Sequence, residues 1–325
     1  MKRLVVIVLS IAVALAGLSV VVAPAEAATT YPASVKALVR AALRSSSGDI
    51  SISVNGVQLV QRGTSRATSS PGGNIAMATW GSTATATSGK GNVATASNHS
   101  TAVAHGDRNT VTATNNSSAT ATSGSAGGGG IPGTASDNTV TARNGSTAKL
   151  QVGHDDTINV ASASTAQLVG VSGTKVTAGH GSDVVADDVS SSTIRASYDS
   201  TVFSEHAGTS TVTASGGSQV RNQLAVGNKV VASDGSKAVS DMGQGNIVTA
   251  ADHSTATIGQ SSDSTAVASG SSTATATNGD DNVARASDGS TASAQSGNST
   301  ATATCGGSAV ADAGQTVVDD GGSCH

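Results

Sequence analysis

The sequence predicts an all-β fold, a β-solenoid with two strands in each coil, about eighteen residues per coil and about thirteen coils. Three columns of residues predict it. Val140, Ile158, Val176, Ile194, Val212, Val230 and Val248 recur at one interval and are followed in phase by Ala266 and Ala284. Two residues later runs a column of small residues, Ala142, Val160, Ala178, Ala196, Ala214, Ala232, Ala250, Ala268 and Ala286. Eight residues after the first column a third reads Ala148, Ala166, Val184, Val202, Val220, Ala238, Ala256, Ala274 and Ala292, and marks a second strand. Residues two apart on a strand share a face, so these columns are the inward positions and the threonines between them point out.

Composition agrees with a thin core. The 325 residues include only one Trp, two Tyr and one Phe. A conventional globular core needs bulky side chains to bury apolar area. Polar low-complexity chains lacking such residues are usually disordered, but disorder gives no reason for Val and Ala to stay in phase over so many periods.

Residues 1–27 read as a secretory signal peptide. Lys2 and Arg3 precede an apolar run from Leu4 to Ala23, and Ala25-Glu26-Ala27 is a small-x-small cleavage site. No second apolar span follows, so the expectation is an exported chain, secreted or at the cell surface, with no integral membrane segment once the signal is removed. Of 17 basic and 21 acidic residues the signal holds Lys2, Arg3 and Glu26, which leaves 15 against 20. Singly scattered bases on a mildly acidic surface give no footprint for nucleic acid.

Residues 28–73 are expected to cap the N-terminal end. Val35, Leu38, Val39, Ala42 and Leu43 follow helical spacing within 32–44, with Lys36, Arg40 and Arg44 opposite. Ile50, Ile52 and Val54 then alternate up to Asn55-Gly56, with Val57 and Leu59 beyond, which predicts a hairpin with a two-residue turn. Residues 62–73 read as linker and 74–304 as the repeats. A Gly-rich insertion at 123–136 accounts for the one long gap in the columns, between Val111 and Val140.

The turns keep register as well. A serine precedes the second strand in nearly every coil, from Ser82 to Ser290, and Asn74, Asn92, Asn138, Asn228, Asn246 and Asn282 stand before first strands. Such side chains satisfy turn backbone and can hydrogen-bond from coil to coil. Cys305 and Cys324 lie in the last stretch, 305–325. In an exported chain they read as a disulfide closing a C-terminal cap, worth about 3 kcal/mol in the chain-entropy picture. Capped ends favour a monomer.

No phosphate-binding loop, zinc-ligand spacing, nucleophile elbow or calcium-binding nonapeptide is present, so no cofactor and no metal are expected. Histidines fall singly, mostly in turns. Stacking the second strands puts Asp187 beside Glu205, with Phe203 and Arg221 on the same outward face. Two carboxylates one strand apart can share a proton or hold an ion, and an aromatic beside them suits a sugar or a protein partner. This is the candidate binding patch, and no catalytic residue is assigned.

Strings such as Thr83-Ala84-Thr85-Ala86-Thr87 and Thr273-Ala274-Thr275-Ala276-Thr277 resemble the flat Thr arrays of insect antifreeze solenoids. That resemblance implies ice binding, with Thr213 and Thr275 as representative contacts. Arg195, Arg285, Lys149 and Arg221 interrupt the rows. Asn92-Val93-Ala94-Thr95-Ala96 and Ser264-Thr265-Ala266-Val267-Ala268 are similar to the head repeats of trimeric autotransporter adhesins, which implies a surface-exposed binding module. The eighteen-residue period is longer than in those heads, and no coiled-coil stalk follows. Curli-type amyloid repeats are similar in being strand-turn-strand with Asn and Ala, but the Gln columns are missing. The expected function is therefore that of an exported, non-catalytic structural or adhesive protein whose partners are surface glycans or host or neighbouring cells. The alternatives are ice binding and a polysaccharide-active β-helix using Asp187 and Glu205.

Overall fold

The computed structural model describes residues 50–319 apart from short stretches, the longest being 123–137. The signal peptide, the helix expected within 32–44, the Gly-rich insertion and Cys324 lie outside the described residues. Those described contain strands and turns and no helix. They form a β-solenoid of about twelve turns, close to the number the columns predict. The chain divides into two compact units, residues 1–140 and 141–325.

In the second unit both columns become parallel ladders with a step of eighteen. Ile158 pairs in turn with Val176, Ile194, Val212, Val230, Val248 and Ala266 on one sheet. Ala148, Ala166, Val184, Val202, Val220 and Ala238 do the same on the other. Burial follows the predicted alternation. In Thr211–Ser215, Val212 and Ala214 are fully buried, while Thr211, Thr213 and Ser215 stay partly exposed. The core is a narrow seam of Val, Ala and a few Leu and Ile between the sheets, so each coil gains most of its stability from the coils on either side of it.

Alternation alone misses one feature of the coil. The longer turn carries a short third ladder, in which Ser172, Ser190, Gly208 and Val226 bridge in succession and Ala225 pairs with Gly243. Its inward residues, Val171, Val189, Ala207 and Ala225, are buried. Left-handed corners bracket this face, for example His206 at φ 49° and Thr209 at φ 50°. A three-sided coil follows from the spacing of those corners, and its inward apolar column runs for only four coils, from Val171 to Ala225, before Gly243 takes the position.

The polar turn columns are structural, as expected. Ser200, Ser218, Ser236, Ser254 and Ser272 are buried, and each hydroxyl oxygen accepts from the backbone N–H of the serine one coil earlier, as in Ser200 N–H to Ser218 Oγ at 3.2 Å. At the other turn Asn246 Oδ1 accepts from Asn228 N–H at 3.0 Å, and its Nδ2 donates to Ala225 C=O at 2.9 Å.

The first unit repeats the same two-sheet pattern on a smaller scale. Ala76–Thr79, Val93–Ala96 and Thr110–Thr114 follow one another on one sheet, and Arg66–Ser69, Thr83–Ala86, Thr101–His105 and Ser118–Thr122 on the other. Three expectations change. Residues 66–69, expected as linker, are a strand: Ala67 is buried and pairs with Ala84, one coil before the columns begin. The hairpin is present, but Ile50 pairs with Arg62 and Ser51 with Gln61, so the turn centres on Gly56 with Val57 at φ 84° and is wider than two residues. Its strand Ile50–Ile52 lies antiparallel on Ala76–Thr79, which covers the sheet edge as a cap should. In the second unit the stretch 305–325, expected as a cap, continues both ladders through Ser308–Ala311 and Thr316–Asp319. Packing thins there, with Val310, Val317 and Val318 about half exposed. Cys305 sits at a left-handed turn with φ 53° before the first of these strands.

Candidate acidic and aromatic patch

The outward face of the second sheet carries the candidate patch. Asp183–Asp187, Thr201–Glu205, Gln219–Val226 and Lys237–Gln244 lie side by side. Their register makes two outward rows. Val185, Phe203, Arg221 and Val239 form one, and Asp187, Glu205, Gln223 and Asp241 the other. The sequence-predicted residues Asp187, Glu205, Phe203 and Arg221 therefore share one surface. Arg221 turns away from the Asp187–Glu205 pair, its Nη2 lying 3.7 Å from an Asp241 carboxylate oxygen.

The residue that sequence reasoning passes over is His206. It occupies the corner directly after Glu205, and its left-handed backbone carries the imidazole back toward the preceding coil. Nδ1 lies 3.2 Å from Asp187 Oδ1 and 3.9 Å from Asp188 Oδ1. The hydrogen bond to Asp187 raises the His206 pKa above the ordinary histidine value, against some desolvation and with smaller help from the negative fields of Glu205, Asp187 and Asp188. The one signal available in the sequence is its position, one residue after Glu205 and nineteen after Asp187.

Asp187, Glu205 and His206 each offer a ligand atom within 4.8 Å of the others. Among the described residues this is the donor set with the spacing to hold a cation, or to accept hydrogen bonds from a ligand's hydroxyls. The face is open: the Asp187 and His206 side chains are 47% and 52% exposed. Charges so exposed are screened by water and bind weakly on their own.

Thr213 and Thr275 do not belong to a common surface. Thr213 lies on the first sheet between Arg195 and Val231, where the array is broken on both sides. Thr275 lies on the second sheet between Thr257 and Ser293, beside the registered row Thr255, Thr273 and Thr291. No helix among the described residues is long and apolar enough to cross a membrane. Comparison with protein-family models, with curated proteins and with solved structures finds no match for this chain.

Proposed function

We propose that the chain is an exported, non-catalytic β-solenoid that serves as an extracellular or cell-surface structural and adhesive protein, working as a monomer and engaging surface glycans or neighbouring cells. The observation that carries this reading is the outward register of the second sheet. There hydroxyls, carboxylates, an arginine and a phenylalanine stand in straight rows one strand spacing apart, about 4.8 Å. A rigid ruler of mixed donors and acceptors suits multipoint contact with a polar polymer, whose affinity then comes from many weak contacts along the solenoid. Export rests on the leader in residues 1–27. Binding of the labelled, purified chain to intact cells and to immobilised glycans tests the reading, and absence of binding to both overturns its adhesive part.

Ice binding is supported by one local feature, the block Thr255, Thr257, Thr273, Thr275 and Thr291. Ice-crystal morphology and thermal hysteresis separate the two readings. Faceted crystals that revert to ordinary growth when Thr275 becomes bulky would favour ice, and ordinary crystals favour adhesion.

A further inference from the structure

The corner between the first and second strands of each coil in the second unit is a pair of residues in the left-handed region. At its leading position stand, coil by coil, Ser162, His180, Tyr198, Gly216, Asp234 and Asp252. Backbone bonds hold these corners in one stack: Gly181 N–H donates to Tyr198 C=O at 2.8 Å, Asp199 N–H to Gly216 C=O at 2.9 Å and Gly217 N–H to Asp234 C=O at 3.0 Å.

Tyr198 is unusual in this column, since it is a large aromatic residue left 61% exposed. One face of its ring is backed by His180, with centroids 4.8 Å apart and planes within 3° of parallel. On the other side the next corner is Gly216, where a Cβ would come within 3.8 Å of Tyr198 Cδ1 and begin to cover the ring. With no side chain there, the next one in the stack is Asp234, two strand spacings or roughly 9–10 Å on. Asp199 stands at the lip of this gap, its carboxylate reaching over Gly217. Ser215, in register with Ser197 one coil back, adds a hydroxyl at the neighbouring strand end.

We infer that this gap is a binding slot for a single pyranose unit of a glycan, an assignment that rests on the adhesive reading above and gives it a site. The apolar face of the sugar ring stacks on the bare face of Tyr198, as aromatic surfaces favour. Its hydroxyls donate to the carboxylates of Asp199 and Asp234 in charge-assisted bonds and exchange hydrogen bonds with Ser215. A gap of two spacings accommodates one ring stacked on Tyr198 with room for hydrogen bonds above it. A planar cation would also lie on the tyrosine, but a cation needs only acceptors, and this rim adds one group able to donate, the Ser215 hydroxyl. His180 holds the tyrosine in place, so little side-chain freedom is lost on binding.

The test is saturation-transfer NMR and calorimetry of the purified chain against neutral oligosaccharides of glucose, galactose, mannose and N-acetylglucosamine, with free arginine as the cationic comparison. Two variants keep the corner geometry. Tyr198→Asn removes the ring with a residue that tolerates the left-handed region, and Gly216→Asp fills the slot with the residue already found at Asp234 and Asp252. Thermal melts check that both remain folded. The expected result is binding of at least one oligosaccharide, weakened about tenfold or more by each variant. Oligosaccharide binding that neither variant alters overturns the slot while leaving the adhesive reading in place. Arginine binding more tightly than any sugar, and lost in salt, also overturns it. If the unsubstituted chain binds no oligosaccharide, the slot fails together with the glycan part of the adhesive reading.

Discussion

His206 and Asp187, nineteen residues apart, meet across adjacent coils with the imidazole Nδ1 3.2 Å from the carboxylate. The hydrogen bond, and then the nearby charges of Glu205, Asp187 and Asp188, raise the histidine pKa in the folded chain. A raised folded-state pKa means that folding favours the protonated form. The stabilisation is therefore complete below the ordinary histidine value and is lost as pH rises through the raised one. Following the His206 ring protons by NMR against pH should give a midpoint above that of an ordinary histidine, and Asp187→Asn should bring it down. An unchanged midpoint in that variant would remove Asp187 as the cause.

The inner column of the second sheet contains a polar interruption at Ser204, Asn222 and Ser240, which pair in sequence and are fully buried. Neither the Asn222 amide oxygen nor its nitrogen has a hydrogen-bond partner, and the two serine hydroxyls also lack one. Unpaired buried groups of this kind cost about 1–3 kcal/mol each. At the equivalent inward position Leu150 and Leu168 are buried without difficulty, so the seam has room for a branched aliphatic. Asn222→Leu is expected to raise stability by about 1–3 kcal/mol, read as a higher midpoint in thermal or urea unfolding. A lower midpoint would mean that the polar run is satisfied by internal water.

Much of this architecture is legible before any coordinates, because a solenoid writes its contacts as a period. The residues that set the register, such as Val176, Ile194 and Val212, are the same residues that fill the core. What stays hidden depends on the backbone at single corners. The third ladder through Ser190 and Gly208 keeps its apolar column for only four coils, Val171, Val189, Ala207 and Ala225, and the strand at Arg66–Ser69 holds only one buried aliphatic, Ala67. The candidate patch is half legible for the same reason. Asp187 and Glu205 follow from strand alternation, whereas His206, like Tyr198 in the separate corner slot, lies where a left-handed residue, φ 49° and 54°, decides the direction of the side chain.

The asparagine ladder makes a separate prediction. Asn246 accepts from Asn228 N–H and donates to Ala225 C=O, so it satisfies backbone groups of an earlier coil on two sides of the turn. Asn246→Ala strands both groups in a buried site and is expected to cost about 2–4 kcal/mol, near the sum of two unmade bonds. Thr249→Ala, three residues on and facing out, should stay within about 0.5 kcal/mol. Comparable losses in the two variants, measured by chemical unfolding, would show that the column does not carry the turn.

Val212 supplies the sharpest test of the register itself. It is fully buried, paired with Ile194 on one side and Val230 on the other. The seam around it is made of Val, Ala and Ile, and among the described residues no base is buried there to receive a charge. An uncompensated buried carboxylate costs about 3–5 kcal/mol even after relaxation. Because each coil leans on the next, Val212→Asp should lower the unfolding midpoint and increase hydrogen exchange in the coils on either side. Thr213→Asp, one residue away and facing solvent, should leave both measurements close to those of the unsubstituted chain. Equal behaviour of the two variants would contradict the assignment of faces, since a shift of one residue exchanges every inward and outward side chain along the strand.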